Sequence, residues 1–256
     1  MSRIKRPKFH RPHPGWQADL PAPYEQPSLT PRLDRPPNLM TDVVLEVSRR
    51  STRRRGFGVF LLPLLIAVSL SQIFTFVTML FDEGIALTGE FFLLAVGSTY
   101  LIIWATVAMI GHEIAPPRDE PIRFNRVRRQ VYVYEFHTSW WNPFFKWHLT
   151  TEQYDWNDLR AEVWQLQGKY TSEGVSIAVI QPGTNKVATR FPLSFCEDKG
   201  ESWAYVCTFM QQGPQALPPV SQFSDPNEAS RWDLARRLAP EVQWPAEIDA
   251  ESRSAS

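Results

Sequence analysis

Two stretches of the chain carry no polar stripe at all. Phe57 to Leu80 reads FGVFLLPLLIAVSLSQIFTFVTML, 24 residues without a charge, and Phe91 to Gly111 reads FFLLAVGSTYLIIWATVAMIG, 21 residues without one. A helix rises ~1.5 Å per residue, so either run is long enough to cross a hydrocarbon layer of ~30 Å. Fifteen of the 24 residues in the first run are Leu, Ile, Val or Phe. Their insertion is favourable by an amount on the order of 5 to 9 kcal/mol, more than Gln72 and a few hydroxyls can cancel. Buried helices of a water-soluble core would show a polar face. The pattern therefore predicts a transmembrane hairpin over residues 57–111. Pro63 falls in its first turns, where a missing backbone donor costs least.

Elsewhere the period changes. Ile122 to Asn125 and Gln130 to Phe136 read as two strands joined by a basic turn, with strong strand propensity at Val131, Tyr132, Val133 and Tyr134. Leu159, Ala161 and Val163 recur at period two. Val175–Ile180 and Lys186–Leu193 flank a Pro-Gly turn and predict a hairpin. From Glu201 to Gly213 the period becomes helical, with Trp203, Val206, Cys207 and Met210 at i, i+3, i+4 and i+7 and a Gly213-Pro214 stop. The expected class is α+β: a transmembrane hairpin plus an antiparallel sheet domain over residues 120–217, capped by its C-terminal helix. That arrangement is compatible with a small barrel or a pleckstrin-homology-like sheet. Ser224 to Leu238 predicts a peripheral helix with Trp232, Leu234 and Leu238 as contacts, followed by an acidic tail to residue 256. Residues 1–40 hold nine of the 22 prolines and no hydrophobic period, which predicts a disordered tail. Residues 41–56 form a basic juxtamembrane segment in which TDVVLEVSRR alternates as a short strand or enters the membrane as helix.

The formal net charge is zero, yet the charge is arranged in blocks. Residues 1–56 hold twelve Lys or Arg against five Asp or Glu, and residues 57–111 hold no basic residue. Arg49, Arg50, Arg53, Arg54 and Arg55 precede the first span, and Arg118, Arg123, Arg126, Arg128 and Arg129 follow the second. The connecting loop carries Asp82, Glu83 and Glu90. The positive-inside rule places both termini in the cytoplasm, as expected of a multi-pass protein of a bacterial inner membrane. Arg53, Arg54, Arg55, Arg123, Arg126, Arg128 and Arg129 are candidate contacts for anionic lipid. The block arrangement argues against a nucleic-acid surface. No apolar run follows the basic N-terminus before Phe57, so no signal peptide is expected. Small residues at Ala67, Ser71, Thr75 and Thr78, and at Ala95, Ser98 and Thr99, suit packing of one span on the other and leave room for a homodimer.

Signals of catalysis are weak. The five histidines form no HxxxH or HExxH pair, no Gly-rich phosphate loop or Gly-x-Ser-x-Gly elbow occurs, and Cys196 and Cys207 have no metal or redox spacing. No cofactor and no metal are expected. Asp155, Asp158 and Glu162 are the carboxylates that could serve an enzyme, and a salt-bridged strand edge is the competing reading. The aromatic cluster Trp140, Trp141, Phe144, Phe145 and Trp147 is the candidate partner-binding surface.

The segments RFNRVRRQVYVYEF (Arg123 to Phe136), DWNDLRAEVW (Asp155 to Trp164) and WAYVCTFMQQGPQALP (Trp203 to Pro218) resemble a bacterial two-transmembrane-helix family known only as a domain of unknown function. The resemblance covers roughly residues 40–220. Relatives are often encoded near type VI secretion or other toxin loci. The resemblance implies a membrane-tethered, non-enzymatic binding protein acting as an immunity or accessory protein for a secreted toxin. The alternative is a regulatory or scaffold protein whose sheet domain binds lipid headgroups or another membrane complex.

Overall fold

A computed structural model describes residues 7–49, 57–81, 89–138, 147–168 and 171–255. Among the described residues, nine strands form two antiparallel sheets. One sheet joins Leu39–Met40 (β2), Val44–Val47 (β3), Ile122–Asn125 (β4), Gln130–His137 (β5) and His148–Asp155 (β6), in that order. The other joins Trp16–Asp19 (β1), Leu159–Leu166 (β7), Ser172–Ile180 (β8) and Val187–Pro192 (β9) in the order β1-β7-β8-β9. The helices are Phe57–Phe81 (α1), Gly89–Glu113 (α2), Glu201–Gln212 (α3), Leu234–Leu238 (α4) and Ala246–Arg253 (α5).

The central feature is the place of α1 and α2 in the sheet. β3 and β4 pair directly, Val44 with Asn125 and Val47 with Ile122. Both helices are inserted between these two strands, so they leave from one end of one sheet. Each is 25 residues, hence ~37 Å long. Their apolar windows, Leu61–Met79 and Phe92–Glu113, each have mean hydropathy 2.0 and are largely uncovered by the rest of the protein, with Ala108 and Gly111 near the end of α2 buried. Both helices are long and apolar enough to cross a membrane. Hydroxyls on them are satisfied internally: Ser69 donates to the Leu65 carbonyl at 2.8 Å and Thr106 to that of Ile102 at 2.8 Å. Ser71, Thr75, Ser98 and Thr99 line a cleft of about 250 Å³ between the two helices together with Gln72.

Period-two alternation builds the core. Leu45, Val47, Ile122, Phe124, Val131 and Val133 meet Leu159, Ala161, Val175, Ile177 and Phe191 across the two sheets. A single 3-10 turn at Trp156–Asp158 carries the chain from one sheet to the other. Trp156, fully buried, packs edge-on against Phe124 with centroids 6.1 Å apart and lies 5.1 Å from Trp203 of α3. α3 is buried from Ser202 to Met210 and closes the space between the sheets. Gly200, with φ of 112°, begins this helix, and a Cβ there would clash with Leu20.

Three expectations are corrected. Residues 1–40 are not a disordered tail over their described part. β1 pairs with β7, Leu20 N donates to the Ala161 carbonyl at 2.9 Å, and Trp203 Nε1 donates to the Pro21 carbonyl at 2.9 Å. Short proline-flanked segments show no period yet can serve an edge, which needs partners on one side only. The folded unit therefore begins well before residue 120. The expected helix over Ser224–Leu238 shrinks to α4, and Trp232 and Leu238 face solvent rather than the core, at 80 % and 56 % exposure. The segment after residue 240 is a strap with its own helix, α5, that packs on β4 and buries Val242 and Ser252, rather than a loose acidic tail.

Candidate functional site

The end of the sheet that carries α1 and α2 is held by two arginines. Arg49, just past β3, is buried at 5 % exposure. Its Nε donates to the Glu120 carbonyl and its Nη2 to the Tyr134 carbonyl, both at 2.6 Å. Burial pulls its guanidinium down, and Glu120, Glu135 and Asp119 oppose this. Arg118, between α2 and β4, donates to the Asn227 carbonyl at 3.0 Å, the Arg236 carbonyl at 3.1 Å and Glu241 at 2.9 Å. Together they tie the strand-to-helix linkers to β5 and to the C-terminal region. Trp147, one residue before β6, lies against Gly111 in the last turn of α2, so that any Cβ on Gly111 would run into the indole. Beside it, His137 and His148 stack at 5.2 Å across β5 and β6.

The outer face of the same sheet carries a buried polar cluster. Glu46 and Arg123 alternate with core residues on β3 and β4, so both point away from the core. Arg123 Nε donates to Glu46 at 2.5 Å, and its Nη1 donates to Asp249 at 2.6 Å and Ser252 at 2.9 Å. Its guanidinium lies 4.3 Å from the centroid of Trp244. Asn125 donates to the Ser252 and Ser254 carbonyls at 3.0 and 2.8 Å. Tyr132 and Arg128 both donate to Glu251, at 3.1 and 3.2 Å. Burial, with Glu251 adding to it, pushes the Tyr132 hydroxyl up to about 12. Burial works against Asp249 ionising, but Arg123 and Arg253 outweigh it and hold that carboxyl below its usual value.

This cluster alters the standing of the lipid-contact candidates. Arg123 is 3 % exposed and committed to Glu46 and Asp249. Arg128 pairs with Glu251. Arg126 reaches the Asp42 carbonyl and Arg129 reaches Asn157. Arg126, Arg128 and Arg129 sit in the β4–β5 turn, at the opposite end of β4 from α2. Sequence proximity to α2 suggested a membrane contact, but β4 leads away from the helices. Arg53, Arg54 and Arg55 lie outside the described residues. So do Trp140, Trp141, Phe144 and Phe145 of the aromatic cluster, and Trp147 is placed against α2 as above.

Of the candidate catalytic carboxylates, Asp155 and Asp158 bracket the 3-10 turn, whereas Glu162 lies on β7 of the other sheet. Asp155 is exposed and accepts from Asn157 N at 2.7 Å. Glu162 is fully buried on the other sheet, paired with Arg190 at 2.9 Å, while its Oε1 has no partner. Burial pushes its carboxyl up, with Arg190 opposing. Burial likewise raises the thiols of Cys196, to about 11, and of Cys207. Among the described residues, no group of three or more His, Cys, Asp or Glu is placed to hold a metal ion.

The sequence carries a signal for the Arg123 cluster. VLEV and IRFN each carry one charge between apolar neighbours, and the two charges are opposite. Paired strands with such charges on a common face predict a cross-strand ion pair.

The structure thus defines an α+β protein of two antiparallel sheets joined to two helices of membrane-crossing length. The chain belongs to the family described as a family of unknown function, DUF6708, which matches residues 99–234 and so more than half of its length. That match runs from the middle of α2 to the start of α4. No curated protein matches the chain. No solved structure matches it either.

Proposed function

We propose that the protein is a membrane-tethered, non-enzymatic binding protein whose sheet domain is held at the cytoplasmic face of a bacterial inner membrane. The observation that carries this reading is the pairing of Val47 with Ile122. Helices that enter and leave between two paired strands must start and finish on the same side of a bilayer, so the hairpin anchors the domain without splitting it. Arginines at 49, 50, 53, 54, 55 and 118 flank the hairpin, and the loop between the helices holds Asp82, Glu83 and no basic residue. This bias supports cytoplasmic ends. Four strands, β3 to β6, then three, β7 to β9, then the covering helix α3 support a pleckstrin-homology-like arrangement with the membrane hairpin in its first strand connection.

The partner is a protein: a toxin that this chain neutralises, or a membrane complex that it joins. The loop between α1 and α2 is too short for a stable interface, which needs ~800 Å² on each side, so the partner meets the sheet domain or the helices. The immunity role rests on the resemblance to proteins encoded beside toxin loci. It is tested by challenging cells that lack the gene with the neighbouring toxin, and complementing with the full chain or with residues 41–117 alone. Protection by the full chain only is expected. Protection by the hairpin alone, or by neither, overturns the role assigned to the sheet domain. A domain that reads lipid headgroups through Arg123, Arg126, Arg128 and Arg129 has less support, because two of these side chains are engaged with acidic residues of the strap.

A further inference from the structure

Trp232 is 80 % exposed, Leu238 56 % and Leu234 36 %, whereas most other Trp, Leu and Ile among the described residues outside α1 and α2 are covered. α4 buries Ala235 and Ala239 and turns Leu234, Arg237 and Leu238 outward at i, i+3 and i+4. The Arg231 guanidinium lies 4.9 Å from the Trp232 ring centroid. Asp233 is turned inward instead, capping α4 by accepting from Arg236 N at 3.0 Å and pairing with the Arg236 side chain at 3.4 Å. The outward face therefore combines a Trp, two Leu and the cations Arg231 and Arg237.

The position of this face says what covers it. Arg118 follows the end of α2, Glu113, by five residues, which span at most ~17 Å. Arg118 N donates to the Pro240 carbonyl at 3.0 Å, and its side chain donates to the carbonyls of Arg236 and Arg237 at 3.1 and 3.3 Å. α4 is thus pinned to the linker through which the chain leaves α2. A five-residue helix and one Trp are also far short of the ~20–30 residues a side of a stable protein interface. Trp rings settle at headgroup depth, and Arg side chains there meet anionic phosphate.

We propose that Trp232, Leu234, Arg237 and Leu238 form a second membrane contact, a monotopic foot by which the sheet domain rests on the anionic bilayer surface beside α2. This rests on the reading of α1 and α2 as membrane-spanning. The foot sets the tilt of the domain over the bilayer, and so which of its surfaces a partner can reach.

The test uses the full chain in vesicles of phosphatidylethanolamine and phosphatidylglycerol. Cys196→Ser serves as background, since Cys207 is buried. A nitroxide is attached in turn at Leu70→Cys on α1, Leu238→Cys, and Thr184→Cys in the distant β8–β9 turn, all exposed positions. Collision rates with oxygen and with a water-soluble nickel chelate report depth. The expected result is Leu70→Cys deep, Thr184→Cys freely accessible to nickel, and Leu238→Cys with a severalfold lower nickel rate than Thr184→Cys. Adding Trp232→Ser should remove part of that difference. If position 238 matches position 184 while position 70 is deep, the foot is refuted and the membrane hairpin stands. If position 238 is shielded from oxygen and nickel alike, protein covers it and the proposal is wrong. If position 70 is open to nickel, the membrane reading itself fails and the foot fails with it.

Discussion

Replacing Arg123 by Ala tests the buried cluster that fixes the C-terminal strap on the sheet. The wild-type guanidinium meets Glu46 at 2.5 Å, Asp249 at 2.6 Å and the Trp244 ring at 4.3 Å. Without it, the Glu46 carboxylate, 4 % exposed, keeps the Asn38 side-chain amide at 3.1 Å as its one remaining side-chain partner among the described residues. Leaving one charge of a buried pair unmatched costs ~3–5 kcal/mol. At roughly 2–4 °C per kcal/mol for a domain of this size, the melting temperature should fall by about 6–20 °C. Asp249 is half-open to solvent and keeps Arg253 at 3.1 Å, so it adds little to the loss. The double variant Glu46→Leu with Arg123→Met removes both buried charges and should recover most of the stability. Thermal unfolding of the detergent-solubilised full chain, followed by near-ultraviolet circular dichroism, reads both. A shift under ~2 °C for Arg123→Ala would refute the reasoning, since surface substitutions of ~0.5 kcal/mol reach that size. So would a double variant less stable than Arg123→Ala alone.

Other substitutions probe separate parts of the account. Gly111→Leu should displace Trp147 from α2 and cost about 1–3 kcal/mol by overpacking; faster amide exchange at the start of β6 is the readout, and unchanged exchange would mean that Trp147 does not bear on α2. Glu162 is held more strongly protonated in the folded state than in the unfolded one. Its contribution to stability is therefore greatest below the ordinary carboxylate range and declines as pH rises through its folded value. Denaturant titrations at stepped pH should show Glu162→Gln lacking that decline, and parallel wild-type and variant slopes would contradict it. Trp232→Ser, at an 80 % exposed position, should change stability by less than ~0.5 kcal/mol, so that its effect on membrane depth is not a folding effect; a larger loss in the same titration would show a packing role.

Much of the sheet domain was legible from period alone. β4, β5, β8 and β9 and the helix α3 lie within a residue or three of where alternation and the Gly213-Pro214 stop put them. The two apolar runs became the two long helices for the same reason. The β1 edge was not legible. Trp16–Asp19 is four residues between Pro14 and Pro21, too short for any period, and its strand character comes from β7 rather than from itself. The strap was hidden differently. Residues 241–256 are mostly polar and acidic, and their main partners lie 120 or more positions earlier: Arg123 and Asn125 on β4 and Arg128 in the turn after it meet Asp249, Ser252 and Glu251. Arg126, Arg128 and Arg129 are close to α2 in sequence but not in space, because β4 carries the chain to the other end of the sheet. α4 is shorter than the apolar spacing suggests because Trp232 and Leu238 are turned out to solvent instead of into a core.

The two-helix anchor is tested most directly by which side of the membrane each soluble part faces. Single cysteines in a Cys196→Ser background, one at Ile85 between α1 and α2 and one at Thr184, are exposed in intact cells to a membrane-impermeant maleimide. Labelling at position 85 without permeabilisation, and at position 184 only after it, is the predicted result. Labelling of position 184 from outside, or recovery of the full chain in the detergent-free supernatant, would contradict the account.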